Sequence, residues 1–152
     1  MNRTGVRTFE AAAFLRRCGA DITRVRKMFR DDMDSYRAKA EAVRMAEVYR
    51  KEFAIAECPS DVESPTVLAA QAANELLDIS GIKASFVLTI YEGKIYMSAR
   101  SIDEVNVQIV AEKLGGGGHI NAAGAQFDHT DMEEAIKALK QTIDKMIEEG
   151  DI

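Results

Sequence analysis

Two periodicities divide the chain near residue 50. Before it, apolar side chains recur at helical spacing: Phe9, Ala12, Ala13 and Leu15 follow a capping candidate at Thr8 and stop at Gly19. Ile22, Val25, Met28 and Phe29 follow a second cap candidate, Asp21, and Tyr36, Ala40, Val43 and Ala46 share a stripe of a longer helix starting near Met33. From Glu52 onward strands and helices alternate. Phe53 to Ala56 reads as a short buried strand, 66–77 as an alanine-rich helix, and 84–91 as a strand alternating Ala84, Phe86, Leu88 and Ile90 with Ser85, Val87, Thr89 and Tyr91. Glu92-Gly93 makes a tight turn into a second strand ending at Arg100. Beyond it the pattern predicts a helix over 106–114, a strand over 125–128, and an amphipathic terminal helix carrying Met132, Ile136, Leu139, Ile143 and Met146, with Thr130 and Glu133 as a capping box.

The expected architecture is therefore α/β: a mixed β-sheet of about four to five strands flanked by helices, preceded by an N-terminal helical arm. The arm occupies 1–50 and the sheet domain 51–152. A chain of 152 residues, 47% apolar, can bury a core of its own. No apolar run approaches the roughly 20 residues of a membrane-spanning helix, so this segment is expected to make no direct membrane contact. Cys18 and Cys58 lack the paired spacing of a zinc knuckle or a disulfide framework and read as reduced thiols.

The net charge of −5 hides an asymmetry. Arg3, Arg7, Arg16, Arg17, Arg24, Arg26, Lys27 and Arg30 crowd the first thirty positions, either as a surface for polyanions or as a solvated helix face. The chemistry concentrates further on. Strand alternation places Ser98 and Arg100 on one face, with Ser101 following, and a guanidinium beside hydroxyls suits a bidentate grip on phosphate oxygens. The competing expectation pairs Arg100 with Asp103 or Glu104.

The run Gly115, Gly116, Gly117, Gly118 and His119, continued by Ile120, Asn121, Ala122, Ala123 and Gly124, is the segment that packing alone would not produce. It is no P-loop, because no Lys-Ser/Thr follows at the required offset, and it lacks the order of a dinucleotide fingerprint. A nest of backbone N–H groups with an imidazole at its exit remains, an anion site that a flexible linker would not need. His119 and His129 lie ten positions apart without clustered ligands, so no metal is expected in this chain. No Ser-His-Asp or Cys-His constellation suggests a nucleophile, so no catalytic residue is expected either.

Taken in order, Ser98-Ala99-Arg100-Ser101, Glu104-Val105-Asn106-Val107 and GGGGHINAAG closely resemble the DHH-associated domain, the C-terminal half of DHH-family phosphoesterases. The upstream RTGVRTFEAA at 3–12 looks like the junction with the catalytic half, and with Glu-Val-Asn-Val it is similar to the GdpP-type cyclic-di-AMP phosphodiesterases. The resemblance implies that Arg100, Gly116, Gly117, Gly118 and His119 contact substrate phosphate or base, with Ser98, Ser101 and Asn121 as neighbours. It also implies two Mn2+ ions in a DHH half that this chain lacks, a substrate of cyclic di-AMP or linear diadenylate, and a parent anchored in the membrane with this domain on its cytoplasmic face. An exposed arm would further invite association with a second copy. Three related readings stand beside it: a nanoRNA-degrading enzyme, a RecJ-like exonuclease, and a non-catalytic RNA-binding or dimerisation module of the alanyl-tRNA synthetase kind.

Overall fold

In the computed structural model, which describes residues 4–152, the chain divides into two compact units between Asp32 and Met33. Among the described residues the first holds two helices, α1 (Val6–Arg17) and α2 (Ile22–Met28). Helix α1 opens on Gly5 with no side-chain cap, so Thr8, expected as the cap, lies within its first turn and donates its amide to the Gly5 carbonyl at 2.9 Å. Gly19 ends the segment with a left-handed φ of +95°. Asp21 does cap α2, accepting from the amides of Thr23 at 2.8 Å and Arg24 at 3.4 Å. Among the described residues of this unit none is buried, and Phe9, Phe14, Leu15, Met28 and Phe29 are each more than half exposed. Two short amphipathic helices cannot close a core between themselves.

The second unit, Met33–Ile152, is built on a six-stranded mixed sheet. Its elements in chain order are α3 (Met33–Arg44), β1 (Glu47–Tyr49), β2 (Phe53–Glu57), α4 (Pro65–Leu76), β3 (Ala84–Tyr91), β4 (Lys94–Ser101), α5 (Val107–Lys113), β5 (Gly117–His119), β6 (Ala122–Phe127) and α6 (Met132–Glu149). The strand order is β1-β2-β3-β4-β6-β5. Only β2 and β3 pair in parallel, joined by the α4 crossover; every other neighbour is antiparallel. The turn between β3 and β4 has left-handed φ at both Glu92 (50°) and Gly93 (76°), the geometry that matches the natural twist of a hairpin.

Helices cover both faces. One layer of the core joins Phe53, Ile55, Phe86, Leu88, Met97 and Ala99 of the sheet to Val107 and Val110 of α5 and to Leu139, Ile143 and Met146 of α6. The other joins Ala54, Ala56 and Val87 to Ala42 of α3 and to Leu68, Ala69, Ala72, Ala73 and Leu76 of α4, whose alanines let the helix lie close to the strands. Since β3 is covered on both sides, its polar positions must be satisfied inside. Ser85 Oγ donates to the Ala73 carbonyl at 2.6 Å, and Thr89 Oγ1 donates to that of Cys58 at 3.0 Å.

The α/β class holds, with two short strands added at the sheet's edges. β1 falls inside the segment expected to be wholly helical, since its turn into β2 uses Arg50 and Lys51 at φ 50° and 69° rather than glycine. On α3 the buried stripe runs through Ala42, with Ala38, Val43 and Ala46 partly buried, whereas Tyr36 is 58% exposed and Ala40 is also exposed. The strand expected at 125–128 begins earlier, at Ala122. The cap of α6 is Asp131, accepting from the Glu134 amide at 2.8 Å, while Thr130 Oγ1 donates instead to the Glu134 carboxylate. Leu139 is fully buried in the α6 layer, so Leu139→Ala should lower the unfolding free energy by about 2–5 kcal/mol in urea denaturation, whereas Met28→Ala in the first unit should change it by less than about 0.5 kcal/mol.

Candidate functional site

Register brings four of the expected residues, Ser98, Arg100, Gly117 and His119, onto one surface. Arg100 of β4 pairs with Ala122 of β6, which pairs with His119 of β5; one step along, Ser98 pairs with Gly124, which pairs with Gly117. Paired residues share a face, and Ala123 and Ala125 point the other way into the α5/α6 core. The result is a shallow trough. Its floor carries nothing larger than the Ala122 methyl, and strand spacing puts the Arg100 and His119 backbones roughly 10 Å apart across it. Ser98 and Arg100 are half-buried on one wall, while His119 is exposed on the other.

The glycines serve different purposes. Gly115, at φ +80°, closes α5, donating to the Glu112 carbonyl at 3.0 Å, and the Gly116 amide reaches back to Ala111 at 2.8 Å. A Cβ on Gly116 would collide with Gly124 and Ala125 backbone, and one on Gly118, whose φ is +149°, with Ala122 O and Ala123 Cα. Only glycine lets β5 lie this close to β6. Gly117 differs, because a Cβ there would meet nothing within 4 Å. The run is therefore an edge strand rather than the nest of N–H groups at a helix end that the sequence suggested.

Arg100 is the electrostatic centre of the trough. Its Nη1 donates to the Ala99 carbonyl at 2.8 Å, and among the described residues no carboxylate lies within ion-pair distance of it. Neither Asp103 nor Glu104 takes the pairing open to it, and Asp103 accepts instead from Asn121 Nδ2 at 2.6 Å. Burial alone moves its pKa, downward from the ordinary arginine value. A guanidinium that is partly desolvated and uncompensated favours an incoming anion.

Ser101 stands apart from the trough. It is 5% exposed on the opposite face, where Oγ donates to the Ile120 carbonyl at 3.2 Å and its amide to the Asn121 carbonyl at 3.2 Å. Asn121 lies in the turn between β5 and β6, its amide nitrogen taken by Asp103. Ala122 and Gly124, the floor itself, carry no chemistry that sequence reasoning seeks; their only signal is small side chains two apart. Among the described residues no three of His, Cys, Asp and Glu gather as metal ligands.

A model of the DHHA1 domain matches residues 51–148, the segment that includes the whole trough. The chain belongs to this family. It is 43% identical to the cyclic-di-AMP phosphodiesterase PdeA of Listeria monocytogenes, over 93% of the chain and 22% of that protein. It is 42% identical to the cyclic-di-AMP phosphodiesterase GdpP of Bacillus subtilis, over 97% of the chain and 23% of that protein. The chain thus spans under a quarter of the length of these relatives. An exopolyphosphatase-related protein of Bacteroides fragilis shares the fold, with a TM-score of 0.81 at 23% identity over 94% of the chain and 44% of that structure.

As it stands, this DHHA1 domain offers a cation, an imidazole, a hydroxyl and an open floor, which together can hold an anionic ligand. The glycine roles are separable by experiment. Gly118→Ala should cost about 1–3 kcal/mol in thermal or urea unfolding, because backbone must move to admit the methyl. Gly117→Ala should stay within about 0.5 kcal/mol of the parent chain.

Proposed function

We propose that the chain is the substrate-holding half of a phosphodiesterase that hydrolyses cyclic di-AMP to linear diadenylate. The observation that carries this reading is Arg100, half-buried without a carboxylate, facing His119 across a floor that carries nothing larger than the Ala122 methyl. The names of the relatives from Listeria and Bacillus support the substrate. In this reading the Arg100 guanidinium takes the phosphate oxygens, His119 donates a hydrogen bond to phosphate or base, and Ser98 offers a hydroxyl beside them. Gly117, with open space above it, lets the nucleotide approach the backbone.

The reacting centre belongs to a DHH half outside this chain, where two manganese ions would supply an activated water. No donor set among the described residues of this chain fits a metal, and no step runs through its own residues beyond binding and charge compensation. The parent is further proposed to be membrane-anchored with this domain on the cytoplasmic face; no described helix here is long and apolar enough to cross a membrane.

Calorimetric titration of the chain with linear diadenylate, cyclic di-AMP and a longer RNA oligomer tests the proposal. The dinucleotides should bind, and Arg100→Ala should weaken them about ten- to hundredfold, the loss expected for a charged hydrogen bond. His119→Ala should weaken them less, and neither variant should lose thermal stability. Preference for the longer RNA would favour an exonuclease or an RNA-binding module instead, and manganese-dependent hydrolysis by the purified chain would contradict the division of labour.

A further inference from the structure

Strand β5 has little to hold it. It is three residues long, it lies at the end of the sheet, and two of its three residues are glycines with no side chain to pack. Glycine also loses the most backbone freedom on ordering. Where His119 stands therefore depends on what fixes the Ile120-Asn121 turn that follows it.

Four hydrogen bonds reach that turn from the end of β4, the connection after it and the start of α5. Ser101 Oγ and the Val107 amide both donate to the Ile120 carbonyl, at 3.2 and 3.0 Å, and the Ser101 amide donates to the Asn121 carbonyl at 3.2 Å. The fourth is a short bond between two side chains, Asn121 Nδ2 to Asp103 Oδ1 at 2.6 Å, with a charged acceptor. Asp103 makes it from a left-handed backbone, at φ +58°, a conformation that costs a non-glycine residue free energy. Asn121 Oδ1 is buried without a partner, so the carboxylate alone sets the orientation of the amide; turned over, it would set carbonyl against carboxylate.

Building on the proposal that the trough holds a dinucleotide, we propose that Asp103 is a positioning residue, which through Asn121 holds the β5–β6 turn and thereby keeps His119 at the wall opposite Arg100. Asp103 touches no ligand. It fixes the end of a glycine strand that would otherwise fray, so the imidazole meets the ligand without first having to be ordered.

The test combines two readouts on the whole chain: amide hydrogen exchange along β5, which needs no ligand, and calorimetric affinity for linear diadenylate. Asp103→Gly removes the carboxylate and suits the left-handed backbone, so global stability should hold or rise. Its β5 amides should nonetheless exchange about tenfold faster, with core amides of β3 unchanged, and affinity should fall about five- to tenfold. Asp103→Asn keeps a carbonyl acceptor and should stay near the parent in both. Asn121→Asp should behave like Asp103→Gly, and adding Asp103→Asn to it should restore both readouts, since donor and acceptor merely exchange places. Parent-like exchange in β5 of Asp103→Gly, or failure of the double exchange to rescue Asn121→Asp, would overturn the inference. If the parent chain binds no diadenylate, the substrate reading falls, while the exchange arm still decides whether Asp103 holds β5.

Discussion

The close approach of β5 to β6 is the constraint on which the trough depends. A methyl at Gly116 or Gly118 would strike the backbone of β6, so these two positions of the edge segment admit only glycine. Its pairing in turn sets Gly117 and His119 on the face already occupied by Ser98 and Arg100. Without that strand the sheet would end at β6 and Arg100 would face solvent with no opposite wall. The turn after β5 returns the chain along β6, whose alternation then spends its larger demands on the core and leaves Ala122 and Gly124 as the floor.

Charge explains why such a surface would hold an anion rather than remain a bare sheet face. Much of the pairing on this unit is local or peripheral: Arg44 with Glu41, Lys83 with Glu52, Lys94 with Asp128, and Arg50 and Tyr49 with Asp144. Arg100 is left out of that pattern although burial already penalises it. Partly desolvated charge without a partner is costly unless a ligand supplies the partner, and among the described residues no three of His, Cys, Asp and Glu gather as metal ligands. On the function proposed above, such a surface would hold and align the ligand.

Much of this was legible from residue types. The alternation of 84–91 and 94–100 gave the hairpin and its phase, and Glu92-Gly93 its turn. The glycine-histidine run and Arg100 announced themselves by composition and by family resemblance. What stayed hidden had physical reasons. Strand β1 was invisible because Arg50 and Lys51, not glycine, take its left-handed turn. Glycine-rich β5 has no side-chain period, so alternation carries no sign of its pairing. On α3, Tyr36 has the residue type of a core position but stays exposed, while the contact is made by Ala42, whose methyl carries little signal. Ser101 differs from its neighbours Ser98 and Arg100 only by parity: one residue along a strand turns it from trough to core face.

The most direct test of the central claim is where a ligand lands on the sheet. Backbone amide chemical shifts of the chain, followed by NMR during titration with linear diadenylate, should move together at Arg100, Ala122, Gly124 and Gly117–His119, on the trough face of three adjacent strands. Shifts confined to the α5/α6 face, or to helices α1 and α2, would contradict it.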